Sequence, residues 1–563
     1  MRKRKKRQRI PSARQPSAKP LKQQKDRMAK RVAIIGAGVS GLTAIKCCLD
    51  EGLQPTCFER SEDIGGLWRF QEHVTEGHSS IYKSLTTNSS KEMMSFSDFP
   101  IPEEYPNYMH HSKMMEYFRM YAKQFDLLRY IHFKARVCHL RKHTDFPITG
   151  QWEIVTEVNG KQESAVFDAV LICTGLHVHP YFPLDSFLGF EKFKGKIIHS
   201  WTYKNPEKFE DQRILIIGLG NSGVEIAIDL SHITKQIFLS TRTGAWVISR
   251  VSDGGYPLDI AHFTRFKNLL YHILPVALVN RWGEKKLNMR FNHENYGVKP
   301  QHRFLSKTPV MGDDLPNAII AGRVLIKPHV KKFTERGVIF EDGSTEENID
   351  VVIFATGYNF SFPFTQDTVL RTQTNKISLY KYVFPPHLEK HTLAVIGLIQ
   401  PVGAIIPVSE LQVRWATRIF KGLNKLPSDN EMMADIVKKI QYNEKRYAAS
   451  HNNSLVVQYI DYMDELASLL GVKPNLLSLL LTDPKLAWEV YFGPCTPTQF
   501  RLTGPGKWEG ARNTILTQEE RIVKATKTRP LQSCTDTKVT ATSSFFIKAL
   551  TCLGLLTVIL SYL

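Results

Sequence analysis

Glycines spaced to let backbone meet a phosphate occur twice in this 563-residue chain. The first run, Gly36-Ala37-Gly38-Val39-Ser40-Gly41, follows the apolar stretch Val32–Ile35 and opens a helix-compatible segment reaching about Leu49. A second strand-like stretch, about Pro55–Phe58, ends on Glu59. Each part has a task in holding a dinucleotide. Gly36 permits the tight turn, Gly38 admits backbone to a pyrophosphate, and Gly41 allows close helix–strand packing. The helix N-terminus aims N–H groups at the phosphates, and Glu59 can accept hydrogen bonds from a ribose diol. The second run, Gly218-Leu219-Gly220-Asn221-Ser222-Gly223, lies between a strand at Ile214–Ile217 and a helix. Its following strand, about Gln236–Leu239, ends on Ser240-Thr241-Arg242 with no acid. A guanidinium pairs with a 2′-phosphate that a carboxylate would repel, so Thr241 and Arg242 select NADP over NAD. The plain alternative for Arg242 is a solvated arginine at a strand end.

Two such units in one chain divide the labour: one nucleotide is the flavin held for chemistry, the other the nicotinamide that reduces it. After Glu59, the run Gly65-Gly66-Leu67-Trp68 supplies backbone able to approach the flavin through Gly66, Leu67 and Trp68, although a glycine pair also makes an ordinary turn. The eight cysteines contain no CxxC and form no metal-like cluster with histidine, so no metal is expected and the thiols read as reduced and packed. Cys47 and Cys48 are adjacent on a helix, where side chains diverge. That argues against a flavin disulfide reductase, which needs a close redox pair beside its first site.

With these residues in view, the chain from Met28 to about Lys527 resembles the mammalian flavin-containing monooxygenases, of the membrane-bound, dimethylaniline N-oxide-forming type. The most specific match is Phe193-Lys194-Gly195-Lys196-Ile197-Ile198-His199-Ser200-Trp201-Thr202-Tyr203-Lys204, similar to the family signature FxGxxxHxxx(Y/F)(K/P). Tyr203-Lys204, in place of Trp-Pro, points to the heteroatom-oxidising branch rather than the Baeyer–Villiger one. Phe354-Ala355-Thr356-Gly357-Tyr358 resembles the family's ATG motif at the return to the flavin domain, and Leu171–Gly175 a counterpart at the first crossing. Thr87-Asn88-Ser89-Ser90-Lys91 resembles the stretch whose asparagine faces the flavin, which implies a catalytic, flavin-contacting role for Asn88. His199 reads as a structural hydrogen-bonder between domains. Phe492–Cys495 and Leu502–Trp508 match the family's C-terminal part.

The resemblance implies an oxidoreductase with FAD and NADPH as cofactors. NADPH would reduce FAD, and a C4a-hydroperoxyflavin formed with O₂ would oxygenate nucleophilic nitrogen or sulfur in small lipophilic amines and thioethers, as in xenobiotic metabolism. Asn88 would protect the peroxide, and retained NADP would exclude water. The alternatives are an uncoupled NADPH oxidase releasing H₂O₂ and a non-catalytic, membrane-tethered nucleotide-binding protein.

These parts need an α/β architecture: two Rossmann-like doubly wound domains, the NADP domain inserted in a split FAD domain, plus a C-terminal anchoring helix. The expected divisions are 1–27, a basic disordered extension; 28–190, FAD domain, first part; 191–349, NADP domain; 350–532, FAD domain, second part; and 533–563, linker and hydrophobic tail. An insertion at about 244–317 contains the helix-compatible run Phe266–Leu274, stopped by Pro275. The resemblance implies a segment that shapes the substrate route and touches the membrane, and a plain buried helix pair fits the pattern alone equally well. Charge distribution excludes a nucleic-acid enzyme. Of the net +20, residues 1–27 supply +11, with twelve Lys/Arg against Asp26. From Ala549 to the end there is no charge, which predicts membrane lipid as a partner of the tail. The expected location is the endoplasmic reticulum membrane with the catalytic domains cytosolic, and homo-oligomerisation stays open.

Overall fold

The computed structural model describes residues 29–370, 372–373, 376–447 and 453–529. The basic arm 1–27 and the hydrophobic tail 533–563 lie outside the described residues. Four-residue and five-residue apolar runs become the centres of two parallel sheets because both faces of each sheet are covered, so no polar alternation is needed. The first sheet contains β1 (Arg31–Ile35), β2 (Gln54–Phe58), β3 (Ile131–His132), β4 (Ala169–Ile172) and an edge strand at Leu393–Val395. Their order across the sheet is Leu393–Val395, β4, β1, β2, β3, all parallel. The second sheet contains β5 (Lys196–His199), β6 (Arg213–Ile217), β7 (Gln236–Ser240), β8 (Val324–Lys327) and β9 (Val351–Phe354), in the order β8-β7-β6-β9-β5.

The glycine runs sit at equivalent places in the two sheets. The first joins β1 to α1 (Val39–Asp50), and the second joins β6 to α2 (Asn221–Leu230). The chain leaves the first sheet after β4 and returns after β9, and the two crossings pair as antiparallel strands, His179–Pro180 with Tyr358–Asn359. Val351–Phe354, just past the expected boundary at 350, pairs in the second sheet, and Phe187 and Phe193, on either side of the one expected at 190, pack into that sheet's core.

The insertion departs from the second sheet after β7. It pairs Val247–Ile248 with Val310–Met311 and carries α3 (Leu258–His262), α4 (Arg265–Ile273) and α5 (Val276–Arg290). Pro275 separates α4 from α5 because it cannot extend α4 and caps the start of α5. The expectation of a buried helix pair fails here: Leu269, Ile273, Val276, Leu278 and Trp282 are exposed. After the return come α6 (Ile405–Lys421), α7 (Leu476–Thr482) and α8 (Gln518–Lys524). Among the described residues, no helix is long and apolar enough to cross a membrane.

Between α1 and α6 lies a buried ionic cluster. Arg501 reaches Glu410 Oε1 at 2.7 Å, Asp98 Oδ2 at 3.0 Å and Ser97 Oγ at 2.6 Å, while Lys46 Nζ meets Asp98 at 2.5 Å. Burial pushes the Asp98 carboxyl up, but Arg501 and Lys46 outweigh it and hold it below the usual carboxylate range. All six described cysteines are free thiols.

Candidate nucleotide-binding and catalytic site

The two glycine turns are built alike. Gly36 has φ +103° and Gly218 φ +122°, which only glycine adopts without strain. A Cβ on Gly36 would lie 2.8 Å from the Cys173 carbonyl oxygen, and one on Gly218 2.5 Å from that of Ala355. Each turn is therefore pressed against the chain just leaving its sheet for the crossing. At Gly41 and Gly223 a Cβ would come within 1.9 Å and 2.0 Å of the carbonyl oxygens of Gly36 and Gly218, so helix and turn can pack this closely only through glycine. The middle glycines differ. A Cβ on Gly220 would meet nothing within 4 Å, and one on Gly38 would meet only the Gly66 backbone, in ordinary contact at 3.6 Å. Both have negative φ. Packing among the described residues thus gives no reason for glycine at 38 or 220; a phosphate approaching a helix N-terminus would give one.

The structure gathers Gly66 against the first turn, with Gly65 N–H donating to the Ala37 carbonyl at 3.1 Å. The Gly66–Trp68 segment forms a single helical turn there, and Trp68 packs on the adjoining core while Leu67 stays half-buried. Glu59, buried at the end of β2, accepts from Ala37 N–H at 2.7 Å and Ser61 N–H at 2.8 Å. Each carboxylate oxygen keeps a further lone pair for a hydroxyl.

At the end of β7, Arg242 is exposed, and Thr241 Oγ1 accepts from Gly244 N–H at 3.0 Å, fixing the turn. Two residues that sequence reasoning missed stand near it. Burial lowers the Lys307 amine and the His329 imidazole, and the charge of Arg242 is close enough to lower both further. Asn221 opens α2, but its Oδ1 accepts from Met311 N–H at 3.0 Å, so it also holds the insertion strand; Ser222 follows it, half-buried.

Asn88 is not a free loop residue. Its Oδ1 accepts from Arg250 Nη2 at 2.6 Å. A guanidinium only donates, so it fixes the amide with oxygen toward Arg250 and the NH₂ group turned away. Arg250 also donates to the Thr87 carbonyl at 3.1 Å and Asp313 Oδ2 at 2.8 Å, and pairs with Glu225 on α2. One arginine of the insertion therefore joins Asn88 to the helix of the second glycine turn. Nothing in its spacing marked it beforehand. The preceding segment is stitched to the second unit as well. Ser84 Oγ and Tyr203 Oη both donate to Asp229 Oδ2, and Trp201 Nε1 donates to the His78 carbonyl. Lys204 Nζ donates to Ser80 Oγ at 2.7 Å, and burial lowers this amine to about 8. His199 is fully buried against Phe182 and Tyr358 at the crossing, and its Nδ1 accepts from Trp201 N–H at 3.1 Å. Burial lowers its pKa to about 4, so it is neutral at working pH and serves the joint.

Against known proteins, residues 29–563 match a family model described as flavin-binding monooxygenase-like. Flavin-containing monooxygenase 5 of Rattus norvegicus is 60% identical over 503 residues, covering 89% of this chain and 94% of that protein. Flavin-containing monooxygenase 2 of Homo sapiens is 55% identical over 538 residues, covering 95% and 99%. Among solved structures, an S-allyl-L-cysteine S-oxygenase from Allium sativum shares the fold with a TM-score of 0.61 at 24% identity, covering 88% of this chain and 99% of that one.

Proposed function

The chain belongs to the flavin-binding monooxygenase-like family, and on that premise we propose which residues carry its FAD- and NADPH-dependent monooxygenation of nucleophilic nitrogen and sulfur. Gly36, Gly38, Gly41, Glu59, Gly66, Leu67 and Trp68 hold FAD in a Rossmann-like first unit. Gly218, Gly220, Asn221, Ser222, Gly223, Thr241 and Arg242 hold NADPH in a second, inserted one, with Lys307 adding to the charge around the 2′-phosphate and neutral His329 beside it. The observation that carries this assignment is the pair of matching turns whose middle glycines have no internal reason to be glycine. When bound, FAD supplies the redox chemistry, taking electrons from NADPH and activating O₂ for transfer of one oxygen atom to substrate.

The protein's own part is orientation and exclusion of water. Arg250 holds the Asn88 oxygen and so commits the Asn88 NH₂ to donate toward the flavin. Glu59 fixes the ribose end, and the N-termini of α1 and α2 face the phosphates. The tail 533–563 anchors the enzyme in the endoplasmic reticulum membrane with the catalytic units on the cytosolic side. The exposed apolar residues of α4 and α5 fit an insertion that touches lipid.

The test uses full-length protein in detergent. Anaerobic NADPH should bleach the flavin, and readmitted oxygen with an amine or thioether should give oxygenated product in proportion to NADPH consumed. Asn88→Asp keeps the pairing with Arg250 but loses the NH₂ donor. It should retain flavin and NADPH oxidation while shifting most turnover from product to H₂O₂, roughly the tenfold effect of losing one hydrogen bond at a reacting centre. Wild-type protein that yields only H₂O₂ is an oxidase, and protein that cannot take up flavin at all refutes the reading.

A further inference from the structure

We propose that Asp259 is a positioning residue for Asn88: carried by insertion helix α3, its carboxylate grips the backbone of the 87–90 turn and thereby sets the coupling of oxygen transfer. This rests on the role given to Asn88 above.

Asp259 is 6% exposed. Its Oδ2 accepts from Ser90 N–H at 2.7 Å, and its Oδ1 from Ile260 N–H at 2.9 Å. Ser90 stands two residues after Asn88 and caps the helical turn Lys91–Met94. From the other side, Arg250 holds the Thr87 carbonyl and the Asn88 amide. Tyr108 closes the arrangement, with its hydroxyl donating to the Arg250 carbonyl at 2.6 Å and accepting from Leu258 N–H at 3.2 Å. One insertion segment, 250–259, therefore clamps both ends of the turn that carries Asn88.

Among the described residues, no ion pair explains the charge on Asp259. The phenols of Tyr108 and Tyr459 face it, and burial pushes both up, so they are neutral. The charges of Arg250 and Asp313 act on Tyr108, and that of Arg265 on Tyr459. On the packed turn, Lys91 is bonded to the carbonyls of Glu103 and Tyr105, and Glu92 to Arg521. On its own helix, burial and the nearby Lys267 and Lys286 lower His262 to about 4. Burial raises the Asp259 carboxyl to about 6, against the backbone N–H groups that lower it. A folded pKa above the unfolded one means that the fold favours the protonated form. Ionisation above about pH 6 costs stability. An uncharged asparagine could hold Ser90 without that cost, yet a carboxylate holds it with the stronger, charge-assisted bond.

The experiment compares wild-type, Asp259→Asn and Asp259→Ala full-length holoenzyme. It measures H₂O₂ released per NADPH oxidised across the titration near pH 6, the melting temperature above it, and amide hydrogen exchange over the segment containing Ser90. In the wild type, the H₂O₂ fraction rises as pH falls through about 6. Asp259→Asn has a raised H₂O₂ fraction that no longer changes with pH there, while its melting temperature above pH 6 is unchanged or higher. Asp259→Ala exchanges the Ser90 amide about tenfold faster, as expected for an unpaired N–H. The proposal is overturned if Asp259→Asn keeps the wild-type pH step, or if its partition changes only together with a lower melting temperature. Should Asp259→Ala fail to fold, Asp259→Asn decides alone. Wild-type enzyme that never couples NADPH oxidation to product instead sinks the reading of Asn88, a distinguishable failure.

Discussion

At the second glycine turn, the proposed selectivity for NADPH rests on charge. Arg242 is exposed, so alone its electrostatic worth would be screened; Lys307 adds positive potential beside it, while the lowered imidazole of His329 stands near as a neutral donor. Arg242→Ala should raise the KM for NADPH by roughly 10- to 100-fold, the value of a charge-assisted hydrogen bond to phosphate, with the KM for NADH little changed. Lys307→Ala should act in the same direction but less. Steady-state kinetics with the two nucleotides checks both; equal losses with NADH would assign Arg242 to the fold instead. The glycines and Arg242 are legible in the chain because their constraints are local: a positive φ, a helix start, a strand end. Arg250, Asp259, Lys307 and His329 are not. Each acquires its role from a partner brought near by the tertiary fold, and no spacing within the chain encodes that meeting.

At the scale of elements, the ionic cluster between α1 and α6 decides how firmly the first unit holds its shape. Arg501 and its partner Glu410 are buried, and its other partner Asp98 is nearly so. Arg501→Ala leaves two carboxylates without their shared cation, which should destabilise the protein by about 3–5 kcal/mol. The measurement is a denaturation midpoint followed by flavin release; a change within about 0.5 kcal/mol, typical of a surface site, would show that the cluster relaxes onto water. Strand and helix starts around both glycine runs are readable from the apolar runs and the glycines that end them. Sheet membership is not. Val351–Phe354 is an apolar run that would suit either sheet, and only its pairing with β5 and β6 shows which one it joins. The α4–α5 pair fails differently: its apolar residues suggest burial, yet the fold leaves several of them facing outward.

For the whole molecule, that outward apolar surface bears on how the enzyme meets a membrane. Leu477, Leu480 and Leu481 on α7 are exposed, with Leu481 at 85%. The helix Pro484–Phe492, whose Phe492 contacts Phe266 of α4, lies between α7 and the insertion. Exposed leucines and a tryptophan on neighbouring helices are costly in water and gain about 1.5–3 kcal/mol each when fully buried in an apolar phase. With the anchoring tail proposed above, this face would be a second membrane contact of the same chain. A chain ended after residue 529 should bind phospholipid vesicles more weakly than the full-length enzyme, yet still co-float with them. Adding Trp282→Glu and Leu481→Glu should release it, because a charge on a lipid-facing site opposes insertion by more than a single leucine contributes. The same pair of substitutions in the full-length enzyme should leave it bound through its tail, with flavin content unchanged, since both side chains face solvent. If the shortened chain instead leaves vesicles completely, the tail is the sole anchor. The exposed helices would then have to be covered by something other than lipid.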